Sequence, residues 1–276
     1  MFARFIAVVV VSSTVLAGAA SAADKRPNIV MILADNLGKD WFGCYGADGN
    51  HTPNVDKLAV GGTRFRHCWS TALCSTTRVE LWTGRYPFHT GWTIHHDAAI
   101  YGGGYLDWRR ETSLARVMQA GGYSTCITGK WQINDLYEQT EALKQHGFDE
   151  HFVWTGALLG EGTAEPRWKK QGDSHHEFES RYWGPVVFNN GKREEYPGRF
   201  GPDVYVDRLV DFMARHRDRP FFAYYSCPLV HVPTIPTPDT PAKDALEREQ
   251  FAGMVHYMDK QVGRIVSELE RLGLRE

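Results

Sequence analysis

Asn28-Ile29-Val30-Met31-Ile32-Leu33-Ala34, followed by Asp35-Asn36 and Gly38, is the stretch that decides the fold. An unbroken apolar run rich in β-branched side chains suits a strand covered on both faces, as in a parallel sheet flanked by helices. The run stops at a carboxylate and an amide. Ligands of open α/β sheets bind at the carboxyl ends of such strands. The stretch therefore predicts both a sheet and the edge of the sheet where chemistry belongs.

Working outward, strands and helices alternate. Pro53 to Val60 reads as a helix begun by proline and stopped by Gly61-Gly62. Thr63 to Trp69 reads as a strand or extended segment, and Thr77 to Thr83 as a helix starting just after Cys74. Ser113 to Ala120 is predicted helical, Tyr123 to Thr128 a strand, Val204 to His216 an amphipathic helix and Phe221 to Ser226 a buried strand. A long helix is predicted from about Asp244 to Leu272, where Met254, Val255, Met258, Val262, Ile265, Val266 and Leu269 recur at helical spacing. Its methionines read as core. Thr155 to Pro202, rich in Gly, Trp, His and charge, reads as a long, partly irregular insertion. The pattern predicts an α/β fold with a mostly parallel central sheet flanked by helices.

Met1 to Arg4 carry one positive charge, Phe5 to Ala17 are almost wholly apolar, and Ala20-Ser21-Ala22 offers the small residues a signal peptidase reads. The expectation is a signal peptide over residues 1–22, a catalytic domain over 23–276, no membrane span after cleavage, and a secreted or periplasmic location. Lys plus Arg number 31 against 33 Asp plus Glu, a net charge of -2, which gives no general reason to bind nucleic acid or an anionic membrane. An anion must then be met by a local cluster of cations. Five cysteines, Cys44, Cys68, Cys74, Cys126 and Cys227, are an odd count for an exported chain. None has zinc-site spacing. One or two disulfides among four of them, or simple burial, are both open at this point.

Four polar features follow successive strands. Asp35-Asn36 offers oxygens suited to a hard cation, or equally a turn or helix cap. Cys74-Ser75-Thr76-Thr77-Arg78 opens a helix, where positive potential favours a reactive thiol, although burial alone is the plain alternative. Gly129-Lys130-Trp131-Gln132 directly follows a strand, and His231 comes just after Phe221 to Ser226 and Pro228. Each is unremarkable alone. Together they converge on one edge of the sheet.

With these residues the chain resembles the sulfatase family of the alkaline phosphatase superfamily. The matching pieces are R-P-N-I-V-M-I-L-A-D-N-L-G (26–38), G-C-Y-G (43–46), T-P-N-V-D-K-L-A (52–59) and C-S-T-T-R-V-E-L-W-T-G-R-Y-P (74–87). G-Y-S-T-C-I-T-G-K-W (122–131), P-F-F-A-Y-Y-S (220–226) and Y-M-D-K-Q-V-G-R-I (257–265) complete the set in the family's order. The resemblance implies an alkaline-phosphatase-like fold and a hydrolase that cleaves a sulfate ester, with a sulfated small molecule or glycan as substrate. It implies calcium held by Asp35, Asn36 and residue 74. Cys74 falls at the position that a formylglycine-generating maturation enzyme oxidises to formylglycine, which would account for the odd cysteine. Arg78 would hold that residue and neutralise charge. Lys130, Gln132 and His231 fall at substrate-contacting positions, with His231 on the sulfate or the leaving group.

The chain departs from the family pattern in three places. Thr76 stands where the maturation motif usually has Pro or Ala. Gln132 stands where the family usually has a His that takes a proton as sulfate leaves. The strand with an Asp-Asn pair and the further Lys that follow the long helix in the family are not in these 276 residues. The chain therefore reads as the N-terminal portion of a larger domain, truncated at the C-terminus. Two rival functions are kept: an impaired relative that binds sulfated glycans without turnover, and a phosphate or phosphonate ester hydrolase of the same superfamily. His95, His96, Asp97, Trp108 and the aromatic-rich stretch 167–183 are candidates for a sugar pocket.

Overall fold

The computed structural model describes residues 26–94, 105–154, 181–240 and 246–275. The signal-peptide reading, His95, His96, Asp97 and most of the 155–202 insertion lie outside the described residues.

The run that opened the sequence reading is strand β1 (Ile29–Leu33). Strands β2 (Ser124–Gly129), β3 (Glu150–Trp154), β4 (Val186–Asn189), β5 (Lys192–Glu195) and β6 (Phe221–Ser226) join it in one sheet ordered β1-β6-β2-β3-β4-β5. The first four strands in that order are parallel, and β4 and β5 add an antiparallel hairpin. The mostly parallel sheet is as predicted. Three strands were not foreseen: β3, and the two that occupy part of the supposed irregular insertion. Conversely, residues 63–69 form no strand, and Phe65 and Trp69 are exposed.

Alternate side chains of each strand feed two hydrophobic layers. Phe221, Ala223 and Tyr225 face one core with Val30, Ile32, Cys126 and Phe152. This core is closed by α6 (Gly201–Arg215) and α7 (Glu247–Arg271). Phe222 and Tyr224 face the other with Ile127, Val153 and Met31. There α2 (Cys74–Thr83) and α4 (Leu114–Ala120), separated by the single turn α3 (Pro87–Thr90), supply Val79, Trp82 and Ala115, and the short α5 (Ala142–Gln145) adds Ala142 and Leu143. The period-2 alternation of a strand sandwiched between helices produces this three-layer arrangement. Met254 and Met258 are core, as expected.

Central β6 is buried throughout, whereas every residue of β1 is half-buried. The reason is position: β1 is an edge, pairing with β6 on one side and with no strand on the other among the described residues. Helix α1 (Pro53–Gly61) is held to α7 through Asp259, whose carboxylate accepts from the backbone N–H groups of Asn54 (3.0 Å) and Val55 (2.8 Å). All five cysteines are free thiols, so the disulfides allowed by the sequence do not form. Burial pushes the Cys227 thiol up to about 12, which keeps it inert.

Candidate active site at the carboxyl edge of the sheet

Parallel register brings the ends of three strands level: Leu33 pairs with Ser226, and Ser226 with Gly129. Backbone pairing continues past the strands. Asp35 donates its N–H to Leu229 O (2.8 Å), Val230 donates to Asp35 O (2.7 Å), and Lys130 donates to Ser226 O (2.8 Å). The next residue of each chain segment is thereby fixed over the sheet edge. Gly129 is required for this. Its φ is +96° and a Cβ there would lie 2.0 Å from Ser226 O.

Asp35 Oδ2 accepts from Lys130 Nζ at 2.5 Å, and both side chains are almost wholly buried. Arg78 Nη2 lies 3.8 Å from Asp35 Oδ1. Burial opposes the charged carboxylate, but the Lys130 and Arg78 charges outweigh it and hold the Asp35 carboxyl below its usual range. Burial lowers Lys130, partly opposed by Asp35. Arg78 is anchored by donating to Lys130 O (3.1 Å) and to Ser226 Oγ (2.5 Å). Its place follows from α2: Cys74 and Arg78 are one turn apart on one helix face.

The helix begins at Cys74 itself rather than after it. Cys74 Sγ donates to Gln132 Oε1 at 3.1 Å and lies 3.6 Å from Lys130 Nζ. The first turn is tied down by Thr76, which donates its hydroxyl to Leu73 O (2.8 Å) and contacts the Thr71 hydroxyl at 2.6 Å. Asn36 (φ 59°) and Gln132 (φ 63°) both occupy the left-handed region, a conformation that non-glycine residues adopt mainly where function or packing imposes it. Asp35, Asn36, Cys74 and Arg78 line a cavity of about 360 Å³.

His231 completes the group. Burial, Lys130 and Arg181 push it down to about 4, so its ring is neutral at pH 7. Arg181 was not foreseen as a site residue. It is 3% exposed, its Nη2 donates to His231 Nδ1 (3.0 Å), and its guanidinium stacks on Trp154. Ser226 was missed too. Its signal was a hydroxyl ending an otherwise aromatic strand, whereas Arg181 was marked only by its place in the aromatic-rich stretch. Trp108 is half-buried: the Arg116 guanidinium lies over its ring, and Arg116 Nη1 donates to Trp108 O (2.7 Å).

Two buried cations, Arg78 and Lys130, thus flank one buried carboxylate, and a third, Arg181, lies behind His231 where its charge acts on Lys130. Arg78 Nε and Arg181 Nε are buried with no hydrogen-bond partner among the described residues. An excess of buried positive charge is costly unless an anion is drawn to it. For calcium the donor chemistry is right but incomplete. Asp35 and Asn36 supply few of the six to eight oxygens the ion takes, and one Asp35 oxygen is engaged by Lys130. The described residues alone do not make a calcium site.

The Sulfatase family model matches residues 27–276. The chain belongs to the sulfatase family. It is 31% identical over 275 residues to N-acetylgalactosamine-6-sulfatase of Canis lupus familiaris, covering 93% of this chain and 49% of the relative. It is also 31% identical over 272 residues to arylsulfatase A of Bos taurus, covering 95% and 52%. The chain therefore spans about half the length of the curated relatives it matches. Among solved structures, the crystal structure of Ps i-CgsB matches with a TM-score of 0.73 and 25% identity, over 91% of this chain and 56% of that one. A structure in complex with its substrate D-glucosamine-2-N,6-O-disulfate shares the fold, with a TM-score of 0.68 at 17% identity over 90% of this chain and 63% of that one.

Proposed function

We propose that the chain carries the catalytic edge of an exported sulfatase that hydrolyses a sulfate ester of a carbohydrate through a formylglycine made from Cys74. The observation that carries this reading is the pair of buried cations beside residue 74, Lys130 at 3.6 Å from its sulfur and Arg78 one helical turn on, with only the Asp35 carboxylate against them. A sulfate ester presents three oxygens that share a negative charge, further charge grows on the leaving oxygen as the ester bond breaks, and fixed cations in a water-poor site favour that state. The curated relatives' names, including N-acetylgalactosamine-6-sulfatase, support a sulfated sugar as substrate. Among the described residues no helix is long and apolar enough to cross a membrane.

Once converted by the maturation enzyme, residue 74 would supply a hydroxyl to attack sulfur while the ester S–O bond breaks and the alcohol leaves. The other roles belong to the surrounding side chains. Lys130 donates to a sulfuryl oxygen. Arg78, fixed to Ser226 and Lys130 O, neutralises charge from beneath. Asp35 keeps Lys130 charged and aimed. His231 donates to the sulfate or to the leaving oxygen. Gln132 reaches residue 74, but an amide is not a base at neutral pH, so the step in which a proton leaves and sulfate departs is the slow one. Asp35 and Asn36 would contribute oxygens to a calcium ion completed by ligands beyond the described set.

Two measurements on the full-length protein test the reading. Mass spectrometry of the peptide holding residue 74, after coexpression with a formylglycine-generating enzyme, is expected to find the aldehyde. Turnover of an aromatic sulfate ester is expected to vanish in Cys74→Ala. An intact thiol together with undiminished sulfate binding would favour the rival glycan-binding reading. Turnover by Cys74→Ala would remove Cys74 from the mechanism.

A further inference from the structure

Arg181 reaches the edge of the site from a segment that ends no strand. Its backbone is locked first. The Tyr205 hydroxyl donates to Arg181 O (3.2 Å), and α6 begins so close that a Cβ on Gly201 would lie 2.1 Å from the same oxygen. The side chain is then held between the rings of Trp154 and Tyr182, its central carbon 5.1 and 5.3 Å from their centroids. Arginine rotamers are costly to fix, and here nearly all of that freedom is removed by packing. The guanidinium ends against one edge of His231: Nη2 donates both to Val232 O and to His231 Nδ1 (3.0 Å).

His231 Nδ1 faces two groups, the Arg181 donor and Val232 O at 2.7 Å. A neutral imidazole carries one proton, so Nδ1 satisfies only one of them. Arg181 cannot give up its hydrogens, and Val232 O already accepts one of them. A charge-assisted hydrogen bond is about twice as strong as a neutral one. Arg181 therefore wins Nδ1 as an acceptor, which places the ring proton on Nε2. The other charged groups that act on the ring, Lys130 and Asp35, belong to the site, so Nε2, the nitrogen that neither Arg181 nor Val232 O engages, is the one assigned to substrate.

We propose that Arg181 is a positioning residue that fixes His231 as the Nε2–H tautomer and so makes it a hydrogen-bond donor, not a proton acceptor, toward the bound sulfate. The proposal deepens the sulfatase reading and rests on it for the identity of the anion. It also explains why a buried arginine sits behind the histidine rather than a carboxylate, which would select the opposite tautomer.

The test is the nitrogen-15 spectrum of His231 in the full-length protein at neutral pH. The two tautomers give well-separated ring nitrogen signals, and assignment by a His231→Gln variant identifies the residue. The expected result is a protonated Nε2 in the native protein and in Arg181→Lys, whose ammonium still donates to Nδ1. In Arg181→Met the proton is expected to move to Nδ1, where Val232 O is then the remaining partner. A protonated Nδ1 in the native protein overturns the proposal without any variant having to fold. Retention of Nε2–H in Arg181→Met overturns it as well. Inorganic sulfate is the separate probe of the anion site and is expected to shift the Nε2–H signal. A correct tautomer with no response to sulfate would sink the sulfatase reading while leaving the Arg181 assignment standing.

Discussion

Asp35 and Lys130 are each buried only because the other is there. Their 2.5 Å contact exchanges two desolvation penalties for one strong charge-assisted bond. Removing one partner leaves the other charge stranded. Asp35→Asn is therefore expected to destabilise the protein by about 3–5 kcal/mol. Urea denaturation would read this as a lower midpoint with an unchanged slope. A loss below about 1 kcal/mol would mean that Lys130 finds another partner. Gln132 poses a kinetic question instead. Its amide oxygen sits 3.1 Å from Cys74 Sγ, so a side chain at this position reaches whatever residue 74 becomes. A histidine there could take the proton that the amide cannot. In matured protein, Gln132→His is expected to raise kcat by about 100- to 10,000-fold. Stopped-flow assays should show a burst of released alcohol in the native enzyme that disappears in the variant. A native enzyme with no burst would place the slow step before sulfur–oxygen cleavage.

Helices α1 and α7 are joined by a cap drawn from two hundred residues away. Asp259 accepts from Asn54 N, Val55 N and Asn54 Nδ2 (2.8 Å), and its negative charge sits at the positive end of α1. Asp259→Ala is expected to cost about 2 kcal/mol and to loosen α1 selectively. Hydrogen exchange would show this as faster exchange at residues 55–58. Uniform acceleration across the sheet would mean that the contact belongs to the global core. Such long-range caps are invisible in a sequence, whereas β1, β2 and β6 were legible because central parallel strands must be apolar on both faces. β3 escaped because Glu150 and His151 break its run, and His151 is buried by a backbone bond to Asn190 Oδ1 (2.8 Å). The β4–β5 hairpin did carry a signal, Asn190-Gly191, both with positive φ. The charged Lys-Arg-Glu-Glu of β5, an exposed edge, hid it. The site was legible where its residues follow strands, as Asp35 and Lys130 do, or open a helix, as Cys74 does one turn before Arg78. Arg181 ends none and arrives by packing against Gly201.

Across the whole molecule, burial on both sides of the sheet sets how the protein responds to acid. His146 and His151 are almost wholly buried, and burial pushes each down to about 4. In the unfolded chain both titrate near 6.5. Between these values the unfolded state binds more protons than the folded one, so stability is complete above about pH 6.5 and falls as pH drops toward 4. Asp35, held below its usual range, adds loss of the same sign at still lower pH. By pH 5 each histidine is expected to have cost roughly 2 kcal/mol. His146 donates from Nε2 to Leu106 O (3.1 Å), a bond that a glutamine amide reproduces without a titrating group. His231 is pushed down as far and adds a third share of the same sign, so His146→Gln is expected to keep most of the stability at pH 7 and to remove about a third of its decline between pH 6.5 and 5. Urea midpoints measured across that range decide the matter. An unchanged slope would mean that His146 protonates inside the folded protein, and the acid response would then have to come from His151 and the site.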